Sequence, residues 1–372
     1  MAMIYPDVAS GARRKRGDIS TRMVLPMKLG LNIGYASRKL TLPLELIREA
    51  ERLGFDSVWT SEAYGSDAVT TSAWILANTQ RIRVGTAILQ MPARAPTMTA
   101  MTAMSLDHLS GGRFIVGLGP SGPQVVEGWY GASYAKPLSR LREYIEIMRK
   151  VEARKEPVTY EGYHYQLPYK GADSTGLGKP LKCILHPERP IPIYTASLQP
   201  KAVALSAELA DGFFPIWIDP DKPDVFEEWI QEGLARVGKP RSAFDMAPFI
   251  GVVMGDDLQQ CRDLIKPGLA LYIGGMGARG KNFYNDYAIR TGWADAARSI
   301  QDLYLDGKKA EAAALVPDAL VDAVALVGPA DRIKGRLQSW IAAGKAGKVG
   351  TMVLGSGQPD ALKLISEPVL GA

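Results

Sequence analysis

Apolar, β-rich runs begin near residues 28, 55, 81 and 113, and a helical pattern follows each. This rhythm constrains the chain more than any single motif. The first run, KLGLNIG, spans Lys28 to Gly34. The segment PLELIREAERLG follows, with Leu46, Ile47, Ala50 and Leu53 at helical spacing and Gly54 as a stop. FDSVWT (Phe55 to Thr60) is the second strand, and a helix opens after it on Ser66 or Asp67. RIRVGTAI (Arg81 to Ile88) is the third, and the next helix ends at Gly111-Gly112. RFIVGLG (Arg113 to Gly119) is the fourth. Continuous apolar strands of this kind fit a parallel sheet covered on both faces.

The rhythm breaks over residues 156–189, where VTYEGYHYQLPY reads as a β-hairpin and KGADSTGLGKPLKCI as a loop. An excursion of that length reads as an insertion, commonly a lid or binding loop. The rhythm resumes with IPIYTAS (Ile191 to Ser197), DGFFPIW (Asp211 to Trp217) and FDMAPFIGVVMG (Phe244 to Gly255). A second insertion, residues 257–345, reads as helical, and VGTMVLGSG (Val349 to Gly357) is the last strand. Eight alternating units predict an α/β fold, a closed (β/α)8 TIM barrel with insertions. No linker composition divides residues 24–372, so they form one domain.

Composition narrows the function classes. The net charge is +5, but the basic residues are scattered without interleaved aromatics, which argues against nucleic acid. No apolar run has the length of a membrane span. Residues 1–23 carry Arg13, Arg14, Lys15 and Arg16 without an apolar stretch behind them, so they read as a flexible basic extension, not a secretory signal. Cys183 and Cys261 stand far apart, and His108, His164 and His186 form no ligand pattern, so we expect a cytoplasmic protein without a metal site.

VGLGPSGP holds Gly117, Gly119 and Gly122 in G-x-G-x-x-G spacing. A dinucleotide fingerprint joins the first strand of a βαβ unit to a long helix. Here the loop follows a fourth strand, and Pro123, Gly128 and Gly131 interrupt any long helix. Glu143, about twenty residues on, lies within a helical segment and not at a strand end. Two readings remain. The glycines close a tight turn, or the loop lies on the catalytic face of a barrel, where bare backbone can approach a flat ring or phosphate.

FDSVWTSEAYGSD, RIRVGTAILQ, LDHLSGGRFIVGLGPSGPQVVEGWYG and IPIYTASLQPKAVALSAELADGFFP together resemble the bacterial luciferase-like superfamily. Within it they resemble the deazaflavin (coenzyme F420) branch, which includes methylene-tetrahydromethanopterin reductase. The resemblance runs from about Met27 to the C-terminus. It implies a barrel whose C-terminal face holds F420, with FMN as the alternative cofactor. It also implies a non-prolyl cis peptide between Ala87 and Ile88 beneath the ring. Gly119, Ser121 and Gly122 would meet the ring edge or ribityl chain. Ala196, Ser197, Leu198 and Gln199 lead into a helix whose start suits the cofactor phosphate. Leu198 and Gln199 depart from the family's frequent Gly-Gly pair there. Lys179 and Lys182 could reach an anionic tail.

For the chemistry, the resemblance points to Glu62, an acid at the second strand's end that touches the ring or relays a proton. The family's following histidine is replaced here by Ala63. The glutamate of the deazaflavin sugar dehydrogenase falls on Pro123 and Gln124, so that enzyme's substrate does not carry over. Tyr64, Glu127, Trp129 and Tyr130 are the substrate-side candidates. Arg113 and His108 read as structural. The expected function is an F420-dependent oxidoreductase acting on a small molecule, as a homodimer. An FMN-dependent monooxygenase and a non-catalytic flavin-binding barrel are the competing readings.

Overall fold

Strands that must be covered on both faces bury every residue, as Ser57–Thr60 and Phe114–Gly119 do here. The computed structural model describes residues 27–35 and 38–371. The basic stretch 1–23 lies outside the described residues. Eight strands form the barrel: β1 (Lys28–Asn32), β2 (Ser57–Thr60), β3 (Arg83–Thr86), β4 (Phe114–Gly119), β5 (Ile193–Ala196), β6 (Gly212–Phe214), β7 (Phe249–Met254) and β8 (Thr351–Gly355). Neighbours pair in parallel from β1 to β6, and β8 pairs with both β1 and β7.

Closure runs through the residues just before β7. Asp245–Met246 pairs with β6, and Phe249 bridges Ile216. From the other side, Gly350 N donates to Met246 O at 3.1 Å and Val353 N to Pro248 O at 3.0 Å. One segment therefore bonds β6 on one side and β8 on the other, which closes the barrel through it.

The interior is filled, not open. Trp59 on β2 meets Tyr194 at 5.4 Å and Phe214 at 4.9 Å between ring centroids, and Phe214 meets Phe249 at 5.4 Å. Gly85 is glycine for steric reasons: a Cβ there would stand 2.1 Å from the Trp59 ring. Below this layer Asp245 Oδ2 accepts from Lys28 Nζ (3.1 Å), Tyr194 Oη (2.9 Å) and Thr351 Oγ1 (2.6 Å), a polar plug on the N-terminal face.

The helices obey local signals. Asp67 caps Ala68–Ala77 by accepting from Thr70 N at 2.8 Å. Pro96–Ser110 stops at Gly111, whose φ of 66° is the left-handed cap conformation. Arg113 anchors the start of β4 to the carbonyls of Leu76, Thr79 and Ile82, and His108 pairs with the His186 carbonyl. Among the described residues no helix is long and apolar enough to cross a membrane.

Residues 156–189 and 257–345 carry elements of their own. In the first, Tyr160–Glu161 pairs antiparallel with Gln166–Leu167. Glu143 holds the hairpin tip by accepting from the backbone N–H groups of Tyr163, His164 and Tyr165 at 2.8–3.1 Å. The second is not wholly helical, which corrects the sequence expectation. Leu326–Gly328 is a strand that extends the sheet beside Val252–Met254, too short a run to show periodicity.

Candidate functional site

The loops after the strands meet at the C-terminal mouth, the face on which barrels of this kind carry their sites. Its floor is the β3–β4 junction. The Ala87–Ile88 peptide is cis, as the resemblance implied. Ala87 and Ile88 pack on the Trp59–Phe214 layer and stay partly open above it. A Cβ on Gly119 would lie 2.8 Å from Ile88 Cγ1, so the glycine makes room for the Ile88 side chain. Thr86 Oγ1 locks β3 to β4 by bonding both Gly117 N (2.8 Å) and Gly117 O (2.9 Å).

Gly117 and Gly119 are packing glycines inside β4. Gly122 is the N-cap of a six-residue helix, Pro123–Gly128, too short for the dinucleotide mode. Ser121 sits between them with φ 61° and its carbonyl accepts from Tyr134 Oη at 3.3 Å.

Glu62 is buried at the end of β2. Its Oε1 accepts from Gln90 N (3.1 Å) and Arg94 Nη1 (2.8 Å), and its Oε2 accepts from Ala68 N (3.1 Å). The carboxylate thus ties the β2 loop to the β3 loop and to the start of helix Ala68–Ala77. Gln90 Nε2 also reaches Glu62 O at 3.3 Å, while Gln90 Oε1 is buried without a partner among the described residues. Arg94 is the partner that sequence reasoning missed. It follows a single 3-10 turn, Met91–Ala93, which no periodicity announces.

The β5 loop divides its candidates. Ser197 is buried and bonds Ser206 Oγ at 2.7 Å, so its hydroxyl is engaged. Ala196 is exposed. Gln199 is the N-cap of Pro200–Leu209 but places no side-chain bond there, so the helix start keeps its uncapped N–H groups. Arg290 stands beside it, donating to Leu198 O at 2.8 Å and Gln199 Oε1 at 3.2 Å. A helix start with an adjacent guanidinium suits an anionic group.

The substrate-side candidates lie on the rim. Tyr64 and Trp129 are strongly exposed, with ring centroids 6.4 Å apart. Glu127 is exposed on Pro123–Gly128. Tyr130 is half-buried, and burial, then the Glu62 charge, push its phenol up. Lys179 and Lys182 are exposed in the first insertion, with Lys182 Nζ on Lys155 O at 3.4 Å.

Across the mouth stands an aromatic wall that the sequence did not reveal. Trp217, just past β6, lies 6.2 Å from Tyr272, 6.1 Å from Tyr284 and 6.4 Å from Tyr287. Tyr272 and Tyr284 meet edge to face at 4.9 Å. Burial pushes the Tyr272 phenol well up. The density of tyrosines around Gly274-Gly275 was the available signal.

A filled parallel barrel thus carries at its C-terminal mouth an aliphatic floor, an uncapped helix start beside Arg290 and an aromatic wall. The chain belongs to the luciferase-like monooxygenase family, whose model matches residues 22–346. It is 48% identical over 341 residues, 91% of this chain and 97% of the relative, to a Mycobacterium tuberculosis protein given the provisional name coenzyme F420-dependent oxidoreductase. It is 28% identical over 327 residues, 87% of this chain and 93% of the relative, to the 5,10-methylenetetrahydromethanopterin reductase of Archaeoglobus fulgidus. The fold matches the solved coenzyme F420-dependent tetrahydromethanopterin reductase of Methanopyrus kandleri with a TM-score of 0.72 at 22% identity, over 93% of this chain and 99% of that one.

Proposed function

We propose that the protein is an F420-dependent oxidoreductase that moves hydride to or from an organic substrate, a carbonyl–alcohol couple or an activated double bond. The observation that carries this reading is the floor: Ile88 lies over Gly119 and offers an open aliphatic surface at the end of β3. A flat deazaflavin ring fits such a surface, and its anionic tail fits the uncapped helix start beside Arg290. The 48%-identical relative's name supports the same cofactor. When bound, a deazaflavin supplies hydride chemistry, and the protein orients it and excludes water.

The chain's residues divide the remaining work. Ala87, Ile88, Gly119, Ser121 and Gly122 support the ring. Ala196, Ser197, Leu198 and Gln199 shape the phosphate end. Glu62 sets the spacing of the β2 and β3 loops through Gln90 and Arg94, and so would position the loops that hold the ring. Tyr64 and Glu127 flank the entrance on the substrate side. The exposed Trp74, Met98 and Met101, on two adjacent helices, support a homodimer. A small-molecule substrate in the cytoplasm completes the reading.

The test is a fluorescence-quenching titration of the purified protein. Deazaflavin is expected to bind more tightly than FMN. The family's description as luciferase-like monooxygenases supports a second reading, a monooxygenase, for which FMN would be the cofactor. Equal or tighter FMN binding, with oxygen consumption, would establish it in place of the first.

A further inference from the structure

The two sides of the mouth are fastened from different distances. On the wall side Leu271–Gly275 is a π turn, and Asn282 and Asn285 donate to the Tyr272 and Ile273 carbonyls at 3.0–3.1 Å. A π turn displaces carbonyls from their helical partners, and here neighbouring amides take them. Asn285 Nδ2 also reaches Ala297 O at 2.8 Å, so this clamp closes within one short stretch of chain. The floor's clamp does not. Arg94, which donates to Glu62 Oε1, follows the 3-10 turn Met91–Ala93 and stands in extended backbone, with φ −144° and ψ 148°. Within this linker Arg94 N donates to Met91 O at 3.3 Å, while Arg94 O takes its hydrogen bond from outside.

The donor comes from a helix fifty residues on. Tyr144 is buried on Pro137–Ala153, and its Oη donates to Arg94 O at 3.2 Å. Thr99 Oγ1 stands 2.5 Å from the same oxygen. A phenol has one hydrogen, so with that hydrogen on Arg94 O the threonine is the donor to Tyr144 Oη. Burial pushes the phenol up, so it keeps its proton. A phenylalanine would fill the same place between the helices and would leave Arg94 O without this bond. The preceding residue, Glu143, holds the tip of the hairpin in the first insertion, and Tyr165 of that tip meets the Tyr144 ring edge to face at 6.0 Å. Two consecutive residues of one helix therefore bear on the hairpin and on the Arg94 linker.

We propose that Tyr144 is a positioning residue of the mouth: by holding the Arg94 carbonyl it sets the guanidinium on Glu62, and it couples the first insertion to the floor on which a flat ring would lie. The path is continuous. Tyr165 leans on Tyr144, Tyr144 Oη bonds Arg94 O, and Arg94 Nη1 bonds Glu62 Oε1 at 2.8 Å. Glu62 in turn accepts from Ala68 N and Gln90 N, each at 3.1 Å, and Gln90 lies two residues past Ile88. Tyr144 acts only through Arg94. Calling the occupant of the floor a cofactor rests on the oxidoreductase reading; the relay itself does not.

The first test is hydrogen exchange on the full chain without ligand. Tyr144→Phe keeps the ring and removes the bond to Arg94 O. Exchange at Ala68 and Gln90 should quicken roughly three- to tenfold, the worth of one hydrogen bond. Thr99→Val removes the other bond of the same hydroxyl and should leave both sites at wild-type rates. Unchanged rates in Tyr144→Phe overturn the proposal. So does an equal quickening in Thr99→Val, which would make the hydroxyl a packing feature of the helix pair. The second test is deazaflavin titration in a double-mutant cycle. Tyr144→Phe should weaken binding roughly three- to tenfold in the wild-type background, and should add nothing once Arg94→Met has cut the link to Glu62. The same factor in both backgrounds, or no effect in either, overturns the coupling to the floor. Wild type that fails to bind deazaflavin sinks the oxidoreductase reading, and the exchange result then decides the relay alone.

Discussion

On the β2–β3 side of the mouth one carboxylate does the fastening. Glu62 gathers Ala68 N, Gln90 N and the Arg94 guanidinium onto two oxygens. Across the barrel the same task falls to neutral amides, with Asn282 and Asn285 holding the π turn and the helix after it. The two devices differ in what surrounds them. A buried charge is tolerable only when paired and fully hydrogen-bonded, and Glu62 has both kinds of partner. The amide clamp carries no net charge, so it imposes no ionic field on the wall it supports. The charged device lies by the Ala87–Ile88 floor, and the neutral one behind the aromatic wall.

Glu62→Gln should break this contrast most severely. Glutamine keeps the shape but presents an N–H₂ group to donors that need an acceptor, and it leaves Arg94 with only the more distant Asp67 carboxylate, 3.8 Å from Nη2. Removing one partner of a buried pair typically costs about 3–5 kcal/mol. Urea unfolding of the cofactor-free chain should show a loss of that size. A loss below about 1 kcal/mol, the range of a surface pair, would show that the carboxylate is not a fastener. If stability then held while turnover fell by about 10²–10⁴-fold, Glu62 would be handling a proton.

Asn282→Ala should cost less and act on the other side. It strips donors from two buried carbonyls and removes the cap of Phe283–Arg290. One unsatisfied buried group and a lost cap together amount to about 2–3 kcal/mol. Hydrogen exchange should rise over residues 271–290 and stay unchanged over 57–90. A uniform rise over both would mean the two walls are one cooperative unit, and the comparison would dissolve.

The two walls also differed in how far the sequence revealed them. The floor was readable because its chemistry is sequence-local. Ala87 and Ile88 end a strand whose run of apolar residues is evident, and Glu62 follows another by two residues. Even there the role of Glu62 was hidden, since Arg94 lies thirty-two positions away beyond a turn without periodicity. The barrel's closure was implied by the count of strands, but not that the bend at Ala247-Pro248 lets one segment serve two neighbours. The wall was unreadable for a different reason. A π turn leaves no hydrophobic period, and the spacing of Asn282 and Asn285 gains meaning only once the displaced carbonyls of Tyr272 and Ile273 are seen. Glu143 repeats the lesson: its place on a helix was legible, but its clamp on three N–H groups of a distant hairpin was not.

The smallest effect is expected at alkaline pH, on the wall alone. Burial, with the Tyr35 and Tyr134 hydroxyls nearby, pushes the Tyr284 phenol up to about 12. An exposed phenol ionises near its ordinary value of about 10. A raised folded value means that the neutral form is favoured in the native state. The stability this contributes is complete below pH 10 and is lost as pH rises through about 12. Absorbance at a tyrosinate wavelength, recorded for wild type and Tyr284→Phe, isolates this group by difference. The difference should show a step near pH 12 that coincides with a change in tryptophan fluorescence, because Trp217 leans on the same ring. A step near pH 10 with no fluorescence change would place Tyr284 in open solvent. The wall would then be a loose flap, unable to hold Tyr272 against Trp217, and only the charged side of the mouth would be rigidly fastened.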